Sequence, residues 1–182
     1  MKLIAIILLS LVANVATAAT YQIDKEGQHA YVIFRASHLG YSYIIGHFED
    51  FEGRFTYDPE NVGASQAAIT IQTASLDSDH AERDKHLRDE EYFDASGHPE
   101  ITFVSTGYEG SAESGVLKGD LTLKGVTRSI EIAVEKIGEG KDPWGGYRAG
   151  FEGNVTLNAA DYGLPGWIGD VAVELIIEGI RQ

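Results

Sequence analysis

Apolar residues recur at every second position in segment after segment of this chain, and that period constrains its fold more than anything else. Leu117, Leu121 and Leu123 share one phase, and Lys118, Asp120, Thr122 and Lys124 the other. Val171, Val173, Leu175 and Ile177 alternate with Ala172, Glu174 and Glu178. Val32, Phe34 and Ala36 oppose Arg35, and Phe51, Phe55 and Tyr57 oppose Glu52 and Arg54. Side chains alternate across a strand, so each segment buries one face and wets the other. Period and β-branched or aromatic content predict strands over Tyr21–Ile23, Ala30–Ala36, Phe48–Tyr57, Gln66–Gln72 and Ile101–Gly107. Further strands are expected over Val116–Lys124, Arg128–Ile137, Tyr147–Leu157 and Val171–Ile180. Asp58-Pro59, Gly110–Gly115, Gly138–Gly146 and Leu164-Pro165-Gly166 supply the turns. Regular strands without a linker or repeat make one all-β domain, an antiparallel sandwich or closed barrel. About eight strands closing on themselves leave a lumen packed solid or wide enough for one small ligand.

One stretch breaks the period. Asp79–Phe93 (DHAERDKHLRDEEYF) has Asp79 and Glu82 at the spacing of a capping box, and Glu82/His86 and Asp84/Arg88 at i,i+4. Only Ala81 and Leu87 are apolar before Tyr92-Phe93, so this short helix cannot stand alone in water. It is expected to be held by the strands, as a plug or latch across one end.

The chain opens with Lys2, an apolar run from Leu3 to Val15, and Ala16-Thr17-Ala18. That order is a secretory signal peptide, and its apolar run is shorter than the roughly 20 residues that span a bilayer. Residues 1–18 are therefore set apart from a single folded domain over 19–182, without a membrane anchor and with a periplasmic address. A net charge of −14 repels phosphate backbones and anionic lipid surfaces, which disfavours nucleic acid as a partner. Without cysteine there is no disulfide and no thiolate ligand or nucleophile.

Candidate chemistry is sparse. His29, His38, His47, His80, His86 and His98 form no pair at zinc-site spacing, so no metal is expected. No nucleophile elbow, P-loop or dinucleotide fingerprint occurs. Asp77-Ser78-Asp79 lacks the glycine and terminal glutamate of a calcium loop. His38 continues the inward phase of Val32, Phe34 and Ala36; it either donates to a ligand head group or ends the strand with a satisfied hydrogen bond. The inward set mixes rings (Phe34, Phe55, Phe103, Phe151) with small residues (Ala36, Ala67, Gly119, Ala149). An open lumen and a packed core both give that pattern. Trp144, alone among glycines, is expected to fold back on a barrel end as a lid.

Several further motifs follow one another along the chain. The opening strand is Gln28-His29-Ala30-Tyr31-Val32-Ile33-Phe34-Arg35 with His38-Leu39-Gly40. Glu82–Arg88, Phe93 and Pro99-Glu100-Ile101-Thr102-Phe103 follow, then Gly119–Thr127 and Asp142-Pro143-Trp144-Gly145 with Arg148-Ala149-Gly150-Phe151. In this order they resemble the YceI-like family of polyisoprenoid-binding periplasmic proteins, over nearly all of the chain after Thr20. The resemblance implies a lipocalin-like closed β-barrel whose lumen holds a long apolar chain: a polyprenyl tail, an isoprenoid quinone or a fatty amide. It implies no catalytic activity and no cofactor beyond that non-covalent lipid. One departure stands out: the family commonly carries a basic residue before Asp161-Tyr162-Gly163, where this chain has Ala159-Ala160.

The expected ligand-contacting residues are Val32, Phe34, His38, Phe55, Ile69, Ile71, Phe103, Leu121, Leu123, Trp144 and Phe151. The alternatives are a solid-cored barrel acting through its surface, and a hydrolase or isomerase using His38 or His86. Oligomeric state is left open by the sequence, a dimer being one option. Cleavage after Ala18 predicts that N-terminal sequencing of the exported protein begins near Ala19; Met1 on exported material would refute the signal peptide.

Overall fold

A computed structural model describes residues 18–27 and 29–182; the expected signal peptide lies, but for Ala18, outside them. Among these residues no helix is long and apolar enough to cross a membrane. The strands are β1 (Ala19–Ile23), β2 (Tyr31–His38), β3 (Ser42–Phe48), β4 (Phe51–Tyr57), β5 (Gln66–Gln72) and β6 (Leu76–Asp77). The one α-helix among the described residues, α1 (Ala81–Arg88), precedes β7 (Glu100–Gly110), β8 (Ser114–Leu123), β9 (Val126–Lys141), β10 (Tyr147–Asn158) and β11 (Asp170–Arg181).

All pairings are antiparallel, in the order β1-β4-β5-β7-β8-β9-β10-β11, and β11 returns to β1 to close the sheet into an eight-stranded barrel. The extra segments come from broken strands. β11 pairs with β2 through Val171–Ile176 and with β1 through Gly179–Arg181, so β1 and β2 are one strand interrupted at 24–30. β3 and β4 likewise face β2 and β1 in succession, and β6 continues β5 beside β3. The expected all-β antiparallel closed barrel is the fold observed.

The period-two reading misses β3. Its outward Tyr43 and Ile45 are apolar and exposed, while its inward side carries Ile44, Gly46 and Phe48. With both faces apolar or small, the alternation that marks a strand is erased.

The helix is shorter than expected and is capped by His80 rather than Asp79. His80 Nδ1 accepts from the Arg83 backbone N–H at 3.2 Å. Asp79 cannot serve because its backbone is left-handed (φ 60°) and its N–H turns back to Asp77 Oδ1. The polar residues of α1 hold it to β6. Buried Asp84 accepts from the Ser78 N–H at 2.8 Å and from the Ser78 hydroxyl. Arg83 donates to Ser78, and Arg88 to the Leu76 carbonyl. Burial alone would raise the Asp84 carboxyl, but these Ser78 donors, with Arg88 and Arg83 beside it, hold it below the usual range.

The break between β1 and β2 is stitched by charge. Arg148 on β10 donates to Asp24, Glu178 and Asp142, and the Asp24 side chain is only 6% exposed. The Arg148 hydrogen bond leads the effects that lower the Asp24 carboxyl. Removing one partner of a buried pair strands the other, at a cost of about 3–5 kcal/mol. Arg148→Met should therefore lose about 3 kcal/mol near neutral pH in urea titrations. Because the folded carboxyl sits below its unfolded value, wild-type stabilisation is complete above about pH 4 and falls away below it. The difference between variant and wild type should shrink over that acid range. A variant within about 0.5 kcal/mol of wild type at neutral pH would overturn the stitching role.

Candidate functional site

The inward faces of the strands enclose a cavity of about 270 Å³. Val32, Phe34, Phe55, Ile69, Ile71, Phe103, Leu121, Leu123 and Phe151 all line it, together with Leu117, Ile132, Val155, Val173 and Ile177. His38 and Trp144 do not. His38 keeps the inward phase, but β2 has passed the barrel rim by then and the imidazole stands exposed. Trp144 sits in the β9–β10 turn, 77% exposed, with the Arg148 guanidinium 5.4 Å from its ring. The expected lid is therefore a solvent-facing ring, supported by a cation instead of the barrel end.

Several small residues in the wall exist to seat rings. A Cβ at Gly46 would meet the Phe34 ring, one at Gly119 the Phe103 ring, and one at Gly179 the Phe55 ring, each within 2.5 Å. Gly119 is thus complementarity, not vacancy; the cavity persists beside these filled positions.

The two ends of the cavity are closed by different means. At the end bearing the chain's C-terminus, strand-borne rings form a floor. Tyr21 stacks on Phe55 at 4.9 Å, and Phe151 meets Phe55 and Tyr57 edge-on at 5.5 and 5.1 Å. The Tyr57 hydroxyl, pushed up by burial, donates to the Ala112 carbonyl at 3.3 Å.

At the opposite end the cover comes from segments outside the sheet. Leu87, Tyr92 and Phe93 descend from α1 and its following turn, and Ala159, Tyr162, Leu164 and Ile168 from the β10–β11 connection. Phe93 packs 5.9 Å from Phe48 and 6.4 Å from Phe34. Lys124, in the β8–β9 turn, joins the two segments: its Nζ donates to the carbonyls of Glu90 (2.8 Å), Glu91 (3.3 Å) and Gly163 (3.5 Å). Tyr92 meets Trp167 edge-on at 6.4 Å across the same seam. The segment from α1 to Phe93 stands across this end as the sequence led one to expect, whereas Lys124 and the β10–β11 residues escaped sequence reasoning. Trp167, 71% exposed beside Leu164-Pro165-Gly166, satisfied the same argument as Trp144 and stands at this end.

The cavity suits solvation of hydrocarbon more than chemistry. No histidine lines it, and His38 and His86, considered above for acid–base roles, both stand exposed outside. Asp24, His29 and Glu178 bring potential metal-ligand atoms within 4.8 Å of one another, as do His47, Glu49 and Asp77. In the first group Arg148 already bonds both carboxylates; in the second Asp77 accepts from the Asp79 N–H.

The sequence and its fold have relatives. A UPF0312 protein of Ectopseudomonas mendocina is 51% identical over 178 residues, covering 95% of this chain and 93% of its own. One from Pseudomonas aeruginosa is 49% identical over 174 residues, covering 93% and 91%. Among solved structures, a Campylobacter jejuni YceI protein superposes with a TM-score of 0.73 at 28% identity, covering 80% of this chain and 90% of that one. Burkholderia cenocepacia BcnA gives 0.76 at 19% identity (86% and 98% covered). A polyisoprenoid binding domain from Saccharophagus degradans gives 0.66 at 16% (91% and 100% covered). The last two share the fold alone at that identity. The model of the YceI-like domain matches residues 21–179, almost everything after the expected signal peptide, and the chain belongs to that family.

Proposed function

We propose that this protein is a periplasmic carrier that holds a long, isoprenoid-like lipid in its barrel, without catalysing a reaction. The observation that carries this reading is a cavity lined by apolar side chains from all eight staves of the barrel and covered at one end by segments outside the sheet. Membership of the YceI-like family supports it, as does the fold shared with a domain described as polyisoprenoid binding. Lys2, the Leu3–Val15 run and Ala16-Thr17-Ala18 support export.

Magnitudes are compatible with tight, reversible binding. Burying about 400 Å² of ligand hydrocarbon would contribute up to ~10 kcal/mol, and association and ordering costs cancel much of it. The cavity of about 270 Å³ lies below the roughly 300–1,000 Å³ of ligand pockets, so a long chain requires the cover to give way. The α1 segment is the part that can move, because side-chain contacts alone hold it to the barrel while the opposite floor is built into the sheet. The acidic surface keeps the loaded protein in solution.

Native mass spectrometry of protein from a periplasmic extract should show a co-purifying lipid. Leu121→Asp puts a carboxylate on the cavity wall; circular dichroism should show a folded protein, and extraction no lipid. Thr122→Asp, on the outer face, should keep both. An unfolded Leu121→Asp protein, with wild type that never carries lipid, would favour the solid-cored alternative. A folded Leu121→Asp protein still carrying lipid would refute this lumen.

Lys124→Met removes the tie across the cover while keeping an apolar stem. It should speed lipid exchange into vesicles several-fold while lowering stability by at most about 1 kcal/mol, the scale of a partly exposed hydrogen bond. Unchanged exchange would place the entrance elsewhere.

A further inference from the structure

Among the described residues, two buried side-chain polar atoms have no hydrogen-bond partner: the Tyr162 hydroxyl and Arg88 Nε. Both belong to the segments over the covered end of the cavity. Arg88 does not line the cavity, and its guanidinium is turned to the Leu76 carbonyl. Tyr162 does line it, is 2% exposed, and belongs to the same cluster as the wall residues. A phenol so placed can donate one hydrogen bond and accept another. Leaving it unpaired costs about 1–3 kcal/mol, so such a group in a folded protein calls for an explanation.

The local backbone is built to fix this side chain. Asn158 caps the turn by accepting from the Ala160 N–H at 3.1 Å, and Gly163 closes it with a left-handed backbone (φ 72°). Arg128 Nε donates to the Asp161 carbonyl at 3.2 Å, and Lys124 to that of Gly163. Arg128 Nε and the Lys124 ammonium are therefore turned to main-chain carbonyls, and the Asp161 carboxylate adds negative charge near the phenol. Burial pushes the Tyr162 phenol up, so it remains a neutral donor.

Building on the lipid-carrier reading, we infer that the Tyr162 hydroxyl is a polar recognition point for the ligand: it donates to a neutral oxygen, a carbonyl or hydroxyl at the polar end of the lipid, held under the cover. The chemistry favours a neutral end over a phosphate. An anionic head group needs guanidinium or ammonium donors turned toward it, and neither Arg128 nor Lys124 lines the cavity. The position also orients the ligand, with its polar end at the α1 side and its hydrocarbon toward the aromatic floor. The two residues before Asp161 are Ala159 and Ala160, whose side chains offer no hydrogen bond. On this turn the Tyr162 phenol is the buried side-chain group able to make a polar contact in the cavity.

The test uses the full mature protein, stripped of lipid, and two probes: a polyprenyl quinone and the matching polyprene hydrocarbon without oxygen. Tyr162→Phe removes only the hydroxyl. Quinone affinity should fall about five- to ten-fold, the factor set by one net hydrogen bond, while hydrocarbon affinity stays unchanged. The lipid-free Tyr162→Phe protein should melt at or slightly above the wild-type temperature, because an orphaned group has been removed. Equal affinities of wild type and variant for the quinone would overturn the assignment. So would parallel loss on both probes, or a drop in melting temperature showing that the hydroxyl is bonded within the protein. Wild type that binds neither probe would instead refute the lipid-carrier reading, and this inference with it.

Discussion

Everything in this structure depends on β11 finding partners along its whole length. One edge of it is paired to β10 from Arg148 to Asn158, while the other must be shared between two short strands, β2 and then β1. Were that second edge open, the sheet would expose unpaired N–H and C=O groups and the apolar inner face would have no enclosure. Closure brings a difficulty of its own, since the strand that completes it is broken at 24–30. At the break the chain relies on Arg148, which reaches from the neighbouring strand to Asp24 and Glu178. A buried ion pair of this kind is weak as a source of net stability. Its value here is positional: β1 and β2 stay collinear on one partner, so the wall above the break continues the wall below it.

The two ends of the lumen follow from how the strands end. On the floor side, Phe55, Tyr57 and Phe151 sit on strands paired to both neighbours, and Gly179 lets the Phe55 ring lie flat against the backbone. Moving such a ring means moving the sheet. On the other side β6 is paired to β3 but not to β7, and the sheet has no strand to offer over the cavity. α1 fills the opening. Its composition makes sense only in that place. Asp84, Arg83 and Arg88 bond to Ser78 and to the carbonyl of Leu76, while Leu87 and Phe93 turn inward. A helix held by polar contacts at its base can detach at lower cost than one held by a wide apolar face.

How much of this was legible in the sequence depended on whether two signals agreed. Where the period-two pattern was clean, as in Leu117–Leu123 or Val171–Ile177, both the strand and its inward phase could be read. The resemblance in motifs then supported a closed barrel over a sandwich. β3 was lost because Tyr43 and Ile45 face water, so the pattern vanished although the strand did not. Phase also failed at strand ends: His38 is inward in register but beyond the rim, a fact of strand length that alternation does not encode. The two tryptophans show a further limit. Each stands among turn residues with no strand of its own, and local sequence offers no means of telling which end of a barrel a turn will occupy. Only the topology places Trp144 by the floor and Trp167 by the cover.

A lumen of this kind has a selectivity problem that its walls cannot solve. Apolar surface rewards any hydrocarbon in proportion to area, and one methylene more or less changes affinity only modestly. Chain length can be limited by the aromatic floor, but a quinone, an alcohol and a plain polyprene present the same tail to the same side chains. Discrimination must come from polar groups that are left unpaired when the wrong ligand binds, because an unmade hydrogen bond in a dry site is penalised far more than a made one is rewarded. Such groups are expensive in the empty protein, so a barrel can carry few of them. They also have to lie where the ligand's polar end will come to rest, beneath a cover that can open. Tyr162 meets these conditions: it is buried, unpaired, in the cavity wall, and set on a turn that Lys124 ties to the movable segment.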